Sequence, residues 1–269
     1  MDNIVEISNL NFKYGDNVIF DDFNLTIKKG SFTSIIGSNG SGKSTLMKII
    51  VGLLKCDGKI VVDGITISED TYKDVRSRIG MVFENPDNQF VAETVMDEIA
   101  FSLENMNYEK KQIRENIKEI VELLGIEDIM EKEPHTLSGG QKQLISLASA
   151  LAIKPKILVL DEALEMLDEA ERQKMLKILV DLNNTSELTI INITHNSEEL
   201  LYGTDIVILN KGKIVDNGET KEILRKEKSF KNNGLELPFI VDLSYKLKYY
   251  GLVDDIVLDM DELVDIIWK

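Results

Sequence analysis

Residues 37 to 45 read Gly-Ser-Asn-Gly-Ser-Gly-Lys-Ser-Thr and fit the phosphate-binding pattern G-x-x-x-x-G-K-[ST]. The segment 31–36 before this stretch predicts a short buried strand, and the segment 46–50 after it predicts an amphipathic helix. The alternative is an ordinary glycine-rich turn between a strand and a helix. The flanking pattern favours the phosphate-binding interpretation, so the sequence predicts a nucleoside triphosphate site.

The residue types in this stretch suit different parts of a triphosphate. Its glycines allow successive backbone N–H groups to face one anion, and the following helix N-terminus adds partial positive charge. Lys43 is expected to reach the β- and γ-phosphates, and the Ser44 hydroxyl is expected to bind Mg²⁺. The predicted nucleotide-binding residues of the stretch are Gly37, Ser38, Asn39, Gly40, Ser41, Gly42, Lys43, Ser44 and Thr45.

The composition argues against several classes of protein. The chain has 269 residues, 43% of them apolar, and a formal net charge of −16, which disfavours binding to nucleic acid or anionic lipid through basic patches. The one cysteine, Cys56, excludes an intrachain disulfide, and no apolar run approaches the about 18 residues that cross a bilayer. Because no signal peptide is recognisable, any role at a membrane is expected from the cytoplasm, through a protein partner.

The order of the predicted elements places the phosphate-binding stretch inside an α/β domain. Short β segments cover residues 3–36, and a hairpin follows around Asp63-Gly64. The pattern is helical from Glu93 to about Ala152, and strands and helices then alternate from Lys156 onward. This order predicts a nucleotide-binding core with a helical insertion.

An acidic pair, Asp161 and Glu162, follows the apolar strand pattern of residues 156–160. Ligands of open α/β sheets bind at the carboxyl ends of the strands, so both carboxylates are expected near the phosphate-binding stretch. Asp161 suits the Mg²⁺ shell, and Glu162 suits polarising the water that attacks the γ-phosphate. Taken alone, the pair is better explained as an acidic helix cap; the phosphate-binding stretch reverses that preference.

A third motif, Leu137-Ser138-Gly139-Gly140-Gln141, begins another predicted helix. Its N–H groups and hydroxyl can bind a second anion, although a plain Ser-Gly helix cap is favoured for the motif alone. Together, residues 37–45, 137–141 and 157–162 resemble the ATP-binding cassette (ABC) family in order and spacing. The resemblance implies that Ser138, Gly139, Gly140 and Gln141 bind the γ-phosphate of ATP held by a facing subunit, and hence a dimer with ATP at its interface.

Three further positions match the same family. His195, after the strand pattern 189–194, stands where the family has a histidine that contacts the γ-phosphate. Leu167-Asp168 matches a loop that contacts the other subunit. Tyr14 occupies the position of an aromatic residue that stacks on adenine; the alternative is a turn tyrosine that covers the edge of a sheet.

Two positions depart from the family pattern. Glu84 stands where the family has a glutamine that touches Mg²⁺ and the attacking water. A carboxylate there binds a cation more strongly but repels the γ-phosphate, so slower hydrolysis or an altered metal preference and a tolerated variation stay open. Ala163-Leu164-Glu165-Met166 replaces smaller hydroxyl residues near the implied dimer interface, with Glu162 unaffected.

The stretch from Asn85 to Phe90, with Thr94-Val95 and 97–101, resembles the ATPases of energy-coupling factor transporters, which import vitamins and transition metals. In that family this region borders the groove for the coupling helices of a membrane subunit. The C-terminal pattern, two short apolar-faced helices with Asp259 and Glu262 as a capping pair, is similar to the family's small C-terminal domain. Packing of these helices back onto the core is the alternative.

The resemblance implies an α/β fold with a P-loop NTPase core of the RecA type, an antiparallel β subdomain, and a helical subdomain at about 88–152. The ATPase domain would span residues 1–228, and a helical dimerisation domain residues 229–269. The implied function is ATP hydrolysis with Mg²⁺ by a subunit at the cytoplasmic face of the membrane. It would work with a second ABC ATPase, a transmembrane coupling (T) subunit and a substrate-binding (S) subunit.

Three alternatives stay open at this stage. A soluble cassette ATPase of an assembly complex, as in iron–sulfur cluster assembly, shares the same motifs. An ATP-binding switch with little turnover is suggested by Glu84. A chromosome-maintenance ATPase is disfavoured, because it would need a long coiled coil between residues 45 and 137.

Overall fold

A computed structural model describes residues 2–86 and 89–268. Its strands are β1 (Asn3–Tyr14), β2 (Asn17–Lys28), β3 (Phe32–Ile36), β4 (Asp57–Val62), β5 (Ile65–Thr66), β6 (Ile79–Val82), β7 (Ile157–Asp161), β8 (Thr189–Thr194), β9 (Asp205–Asn210) and β10 (Lys213–Glu219). Its α-helices are α1 (Lys43–Ile50), α2 (Tyr72–Arg76), α3 (Val95–Asn105), α4 (Lys110–Leu124), α5 (Gly139–Ala152), α6 (Glu169–Ser186), α7 (Thr220–Leu224), α8 (Glu227–Lys231), α9 (Phe239–Tyr249) and α10 (Met260–Ile267).

The strands form two sheets. The four-stranded antiparallel sheet has the order β2-β1-β4-β5, and the six-stranded sheet has the order β10-β9-β3-β8-β7-β6. All neighbours in the larger sheet are parallel except β10, which forms an antiparallel hairpin with β9. The predicted α/β class with an antiparallel subdomain is confirmed.

The central strands β3, β8 and β7 of the larger sheet are buried on both faces, as the continuous apolar sequence of residues 157–160 predicts for β7. On one face, Leu158 and Leu160 pack with the helices of the insertion and α6. On the other face, Ile157 and Val159 pack with α1 and the antiparallel sheet. The alternation of side chains along β7 therefore holds the helical and the antiparallel layers on opposite sides of one sheet.

The predicted helical insertion contains α3, α4 and α5, joined by a short 3₁₀ turn at Glu127–Ile129 and another at Pro134–Thr136. Thr94 caps α3, and the apolar face of α4 is buried at Ile113, Ile120, Val121 and Leu124. Asp87 and Asn88, which belong to the stretch that resembles energy-coupling ATPases, lie outside the described residues.

The C-terminal helices pack back onto the larger sheet, as the alternative for this segment predicts. Ile240, Val241 and Leu263 are buried with Ile206 and Ile208 of β9. The cap of α10 forms as predicted, with Asp259 accepting a hydrogen bond from the Glu262 N–H over 2.9 Å. An outer apolar surface remains exposed at Phe239, Val264, Ile267 and Trp268.

The predicted boundary between residues 228 and 229 falls inside α8 rather than in a linker. Phe230 of this helix is buried in the same cluster as β9 and α9. The division into an ATPase domain and a dimerisation domain therefore stays a prediction. Among the described residues, no helix combines the length and the apolar content that crossing a membrane requires.

Candidate functional site

Four adjacent strands of the larger sheet carry the predicted site residues at their carboxyl ends. The phosphate-binding stretch follows β3, His195 follows β8, Asp161 ends β7, and Glu84 comes two residues after β6. Parallel strands end at the same edge of a sheet, so segments far apart in sequence meet there. The expected proximity of the acidic pair to the phosphate-binding stretch is confirmed.

Close backbone approaches fix the shape of the phosphate-binding loop, residues 37–42. A Cβ atom on Gly37 would lie 2.1 Å from the backbone oxygen of Leu209 in β9. Gly42 has a φ of +107°, and a Cβ atom there would lie 3.0 Å from the ring of Phe20. Because β9 and β2 press on the loop from these two points, only glycine fits at either position.

Lys43 begins α1 and lies back across this loop. Its Nζ atom donates a hydrogen bond of 2.8 Å to the Gly37 carbonyl and lies 3.7 Å from Oε1 of Glu162. The side chain is only 5% exposed. The ammonium group is therefore held between the loop and the acidic pair, where it can neutralise a phosphate.

The side-chain oxygens of Ser44, the residue after Lys43, and of Asp161 lie close together. The Ser44 hydroxyl donates a hydrogen bond of 3.2 Å to Asp161, a buried carboxylate. Burial raises the pKa of Asp161, the nearby charges of Glu162 and Glu84 raise it further, and the Ser44 hydrogen bond and Lys48 lower it. Hydroxyl and carboxylate oxygens are ligands that Mg²⁺ prefers, and a divalent cation would relieve this concentration of negative charge. The residues present therefore fit a magnesium ion.

Glu162 has a strained backbone and lies close to both Lys43 and His195. Its φ is +52°, in the left-handed region that residues other than glycine rarely adopt, and its N–H bonds to the Ile193 carbonyl of β8. Its Oε2 atom lies 3.5 Å from Nδ1 of His195. Strain of this kind is concentrated at functional sites, since the surrounding structure must hold it in place.

The closest contact of His195 is to a residue whose role the sequence analysis missed. Nδ1 of His195 lies 2.6 Å from Oε1 of Glu165, closer than it lies to Glu162. Burial raises the pKa of Glu165, and the charge of His195 lowers it, while Glu162 and Glu84 raise it. The available signal was a carboxylate in place of a small hydroxyl residue, three positions after Glu162.

Arg172 of α6 holds the loop on which Glu165 lies. Its guanidinium donates to the carbonyls of Leu164 and Leu167 over 3.2 and 3.0 Å. Its Nε atom also lies 3.9 Å from the buried carboxylate of Glu199, which follows His195 in a 3₁₀ turn. No sequence motif indicated this connection, because it depends on three segments meeting.

The serine-glycine motif forms a complete helix cap within one chain. The Ser138 hydroxyl accepts a hydrogen bond from the Gln141 N–H, and the Gln141 side chain accepts one from the Ser138 N–H. Gly139 and Gly140 face the loop that contains Met166. The cap interpretation is thus correct, and the role of these residues toward a facing subunit's ATP stays a prediction.

Tyr14, the predicted adenine-stacking residue, ends β1. The Tyr14 ring is about half exposed and packs edge-on against Phe12. Its stacking on adenine stays a prediction.

The helical insertion holds the segment between β6 and α3. The buried Glu98 of α3 accepts two hydrogen bonds of 2.9 Å from the N–H groups of Val91 and Ala92. The side-chain amide of Gln143 in α5 donates a hydrogen bond to the carbonyl of Phe83, next to Glu84. The helical insertion therefore contacts both ends of this segment.

Known proteins match the chain over nearly its whole length. The family model described as "ABC transporter" matches residues 20–165. The energy-coupling factor transporter ATP-binding protein EcfA of Pediococcus pentosaceus is 42% identical over 266 residues, 97% of this chain and 95% of that protein. The EcfA1 protein of Streptococcus thermophilus is 40% identical over 271 residues, 99% of this chain and 98% of that one.

Solved structures agree with these matches. Among them is cbiO1 of Clostridium perfringens, described as part of an ABC transporter complex, with a TM-score of 0.78 and 33% identity over 90% of this chain and 99% of that one. A dimeric ATP-binding cassette in a post-hydrolysis state with ADP and Pi has a TM-score of 0.73 and 29% identity over 80% of this chain and 98% of that one. The chain belongs to the ABC transporter family of ATPases, and within it to the ATP-binding proteins of energy-coupling factor transporters.

Proposed function

We propose that this ATPase closes as a dimer over two ATP molecules and drives the uptake of a vitamin or a transition metal through a membrane partner. The observation that carries the proposal is the chain of contacts from Lys43 through Glu162 to His195, across the ends of β3, β7 and β8. Neighbouring groups in this chain of contacts lie within 4 Å of each other. A lysine can bind the γ-phosphate, and a carboxylate beside it can orient the attacking water.

Each residue of the site has a separate proposed role. The loop 37–42 and Lys43 would bind the phosphates, and Ser44, Asp161 and Glu84 would hold Mg²⁺, which neutralises phosphate charge. Glu162 would polarise the attacking water, and His195 would contact the γ-phosphate. Tyr14 would stack on adenine, and Ser138 to Gln141 would complete the site of the facing subunit.

Two exposed apolar surfaces support the proposed partners. Val91 is exposed on the segment before α3, and Met96 and Phe101 are exposed on α3 itself. A coupling helix of a T subunit would dock on this surface. A separate S subunit would bind the imported compound. The exposed side of α9 and α10 would join a second ABC ATPase, with the chain at the cytoplasmic face of the membrane.

Reconstitution tests this function directly. The full chain is co-expressed with its membrane partners, purified in detergent and placed in vesicles, and ATP-driven uptake is measured. Glu162→Gln should abolish uptake and lower phosphate release by at least about 10²-fold. Glu122→Gln, which removes the same charge from the exposed face of α4, should leave both unchanged. Recovery with soluble partners alone would reject the importer and favour a soluble assembly ATPase.

A second candidate, an ATP-binding switch with slow turnover, is favoured by the charge of Glu84 close to Asp161. In that case Glu84→Gln should raise phosphate release by the assembled complex several-fold, because one negative charge near the γ-phosphate is lost. Substantial Glu162-dependent turnover of the unmodified chain would reject the switch.

A further inference from the structure

Two carboxylates approach the same nitrogen of His195. Oε1 of Glu165 lies 2.6 Å from Nδ1, and Oε2 of Glu162 lies 3.5 Å from it. The Oε1 atom of Glu165 is shielded from solvent and accepts no hydrogen bond of good geometry from the described residues, and His195 Nδ1 is a potential donor 2.6 Å away. A buried carboxylate oxygen needs a proton donor, and the nearby Nδ1 atom is able to be that donor.

The loop around Glu165 is held firmly enough to position its side chain. Arg172 bonds the carbonyls of the residues one before and two after it, and the Glu165 N–H contacts the Glu162 carbonyl at 3.4 Å. The backbone at Glu165 is thus fixed on both sides. Small displacements of a catalytic group lower the reaction rate, so a fixed backbone at Glu165 can help to keep His195 in place.

We propose that Glu165 is a positioning residue for His195: its carboxylate accepts the Nδ1 proton and leaves the other ring nitrogen, Nε2, to face the nucleotide. The hydrogen bond made by one ring nitrogen decides which nitrogen carries the proton. Because Glu165 holds the ring, Glu162 does not have to. One oxygen of Glu162 faces Lys43, and the other is then available for water.

This inference rests on the proposed role of His195, but its first test does not depend on that role. The chain has two histidines, His135 and His195, so imidazole ¹⁵N spectra of the full-length protein contain two ring systems. A His135→Gln variant assigns them. At about pH 9, well above the ordinary pKa of histidine, a neutral ring shows which nitrogen is protonated.

The expected spectrum has the proton of His195 on Nδ1 in the nucleotide-free protein. Glu165→Ala should remove this preference, whereas Glu165→Gln should keep it, because the amide oxygen also accepts a hydrogen bond. The His135 signal should be the same in all variants and reports that they are folded. A His195 ring protonated on Nε2, or a ring unchanged by Glu165→Ala, would overturn the proposal.

Kinetics give the second readout. Glu165→Ala should lower kcat roughly ten-fold with little change in KM, less than the about 10² that a 1 Å misplacement can cost, and Glu165→Gln should restore most of kcat. Glu122→Ala, at an exposed position of α4, is the matched control and should be neutral. A lower kcat without any change in the His195 spectrum would also overturn the proposal. Failure of transport with the expected spectrum would count against the proposed function alone.

Discussion

The Ser44 hydroxyl donates a hydrogen bond to Oδ1 of Asp161 over 3.2 Å, although 117 residues separate the two in sequence. Ser44 lies in the first turn of α1, and Asp161 ends β7, two strands away from β3 in the sheet. The contact joins the phosphate-binding loop to the acidic pair. Both oxygens belong to residues that would hold the proposed magnesium ion.

Replacing either partner of this contact should weaken magnesium-dependent ATP binding. Ser44→Ala removes a hydroxyl ligand and Asp161→Asn removes a negative charge, so each should raise the Kd for ATP in Mg²⁺ by about ten-fold or more. Titration of the full-length chain with a fluorescent ATP analogue, with Mg²⁺ or with EDTA, measures the effect.

The double variant decides whether the two residues act together. Because both residues would hold the same proposed magnesium ion, their effects on binding should not add. The double variant should bind ATP about as tightly as the single variant with the higher Kd. With EDTA, all four proteins should bind similarly. Fully additive losses would contradict a shared magnesium site.

The carboxylate of Glu98 should stabilise the segment that leads into α3. Glu98→Ala leaves the N–H groups of Val91 and Ala92 without their acceptor, which should lower the free energy of unfolding by about 1–3 kcal/mol. Urea unfolding measures the loss, and faster hydrogen exchange at these two amides locates it. Glu104→Ala, at an exposed position of the same helix, should change neither quantity.

Arg172 should stabilise the loop between β7 and α6. Arg172→Ala removes two hydrogen bonds to backbone carbonyls and leaves the buried Glu199 without its nearest cation, so we expect a loss of about 2–3 kcal/mol. Arg172→Lys should lower the free energy of unfolding by less, because lysine keeps the positive charge. Some loss should remain, because lysine lacks the planar guanidinium group that bonds both carbonyls. Urea unfolding checks both; a loss below about 0.5 kcal/mol for alanine would contradict this role.

The stability of the protein should fall with rising pH partly through Glu199. Burial raises the pKa of Glu199 above the ordinary 4.5, against the lowering effect of its hydrogen bonds and of Arg172. Between these two pKa values the folded chain holds a proton that the unfolded chain has lost. Stability is therefore lost from about pH 4.5 upward, until the folded carboxyl has also ionised.

Glu199→Gln removes this titration. The decrease in the free energy of unfolding between pH 5 and pH 8, from urea titrations, should be smaller in this variant than in the unmodified chain. Glu104→Gln, at an exposed position, should show the unmodified pH dependence. Equal slopes for Glu199→Gln and the unmodified chain would show that the buried carboxyl does not contribute.

Much of the fold could be read from local patterns. The glycine-rich loop, the apolar strand before Asp161, the turn at Asp63-Gly64 and the capped α10 all appear where the sequence predicts them. The side of the sheet on which the C-terminal helices lie could not be read. An apolar stripe on a helix specifies burial but not the surface that buries it.

The sequence by itself determined the residue types of the site and the strands that present them, because a phosphate loop and an acidic strand end are short-range patterns. Only the tertiary structure decided that Glu165 lies against His195 and that Arg172 holds the loop between β7 and α6, on which Glu165 lies. The physical reason is that strand order, not sequence order, sets which carboxyl ends are neighbours. β3, which leads into the phosphate-binding loop, is adjacent to β8 in the sheet, although β4 to β7 lie between them in the chain.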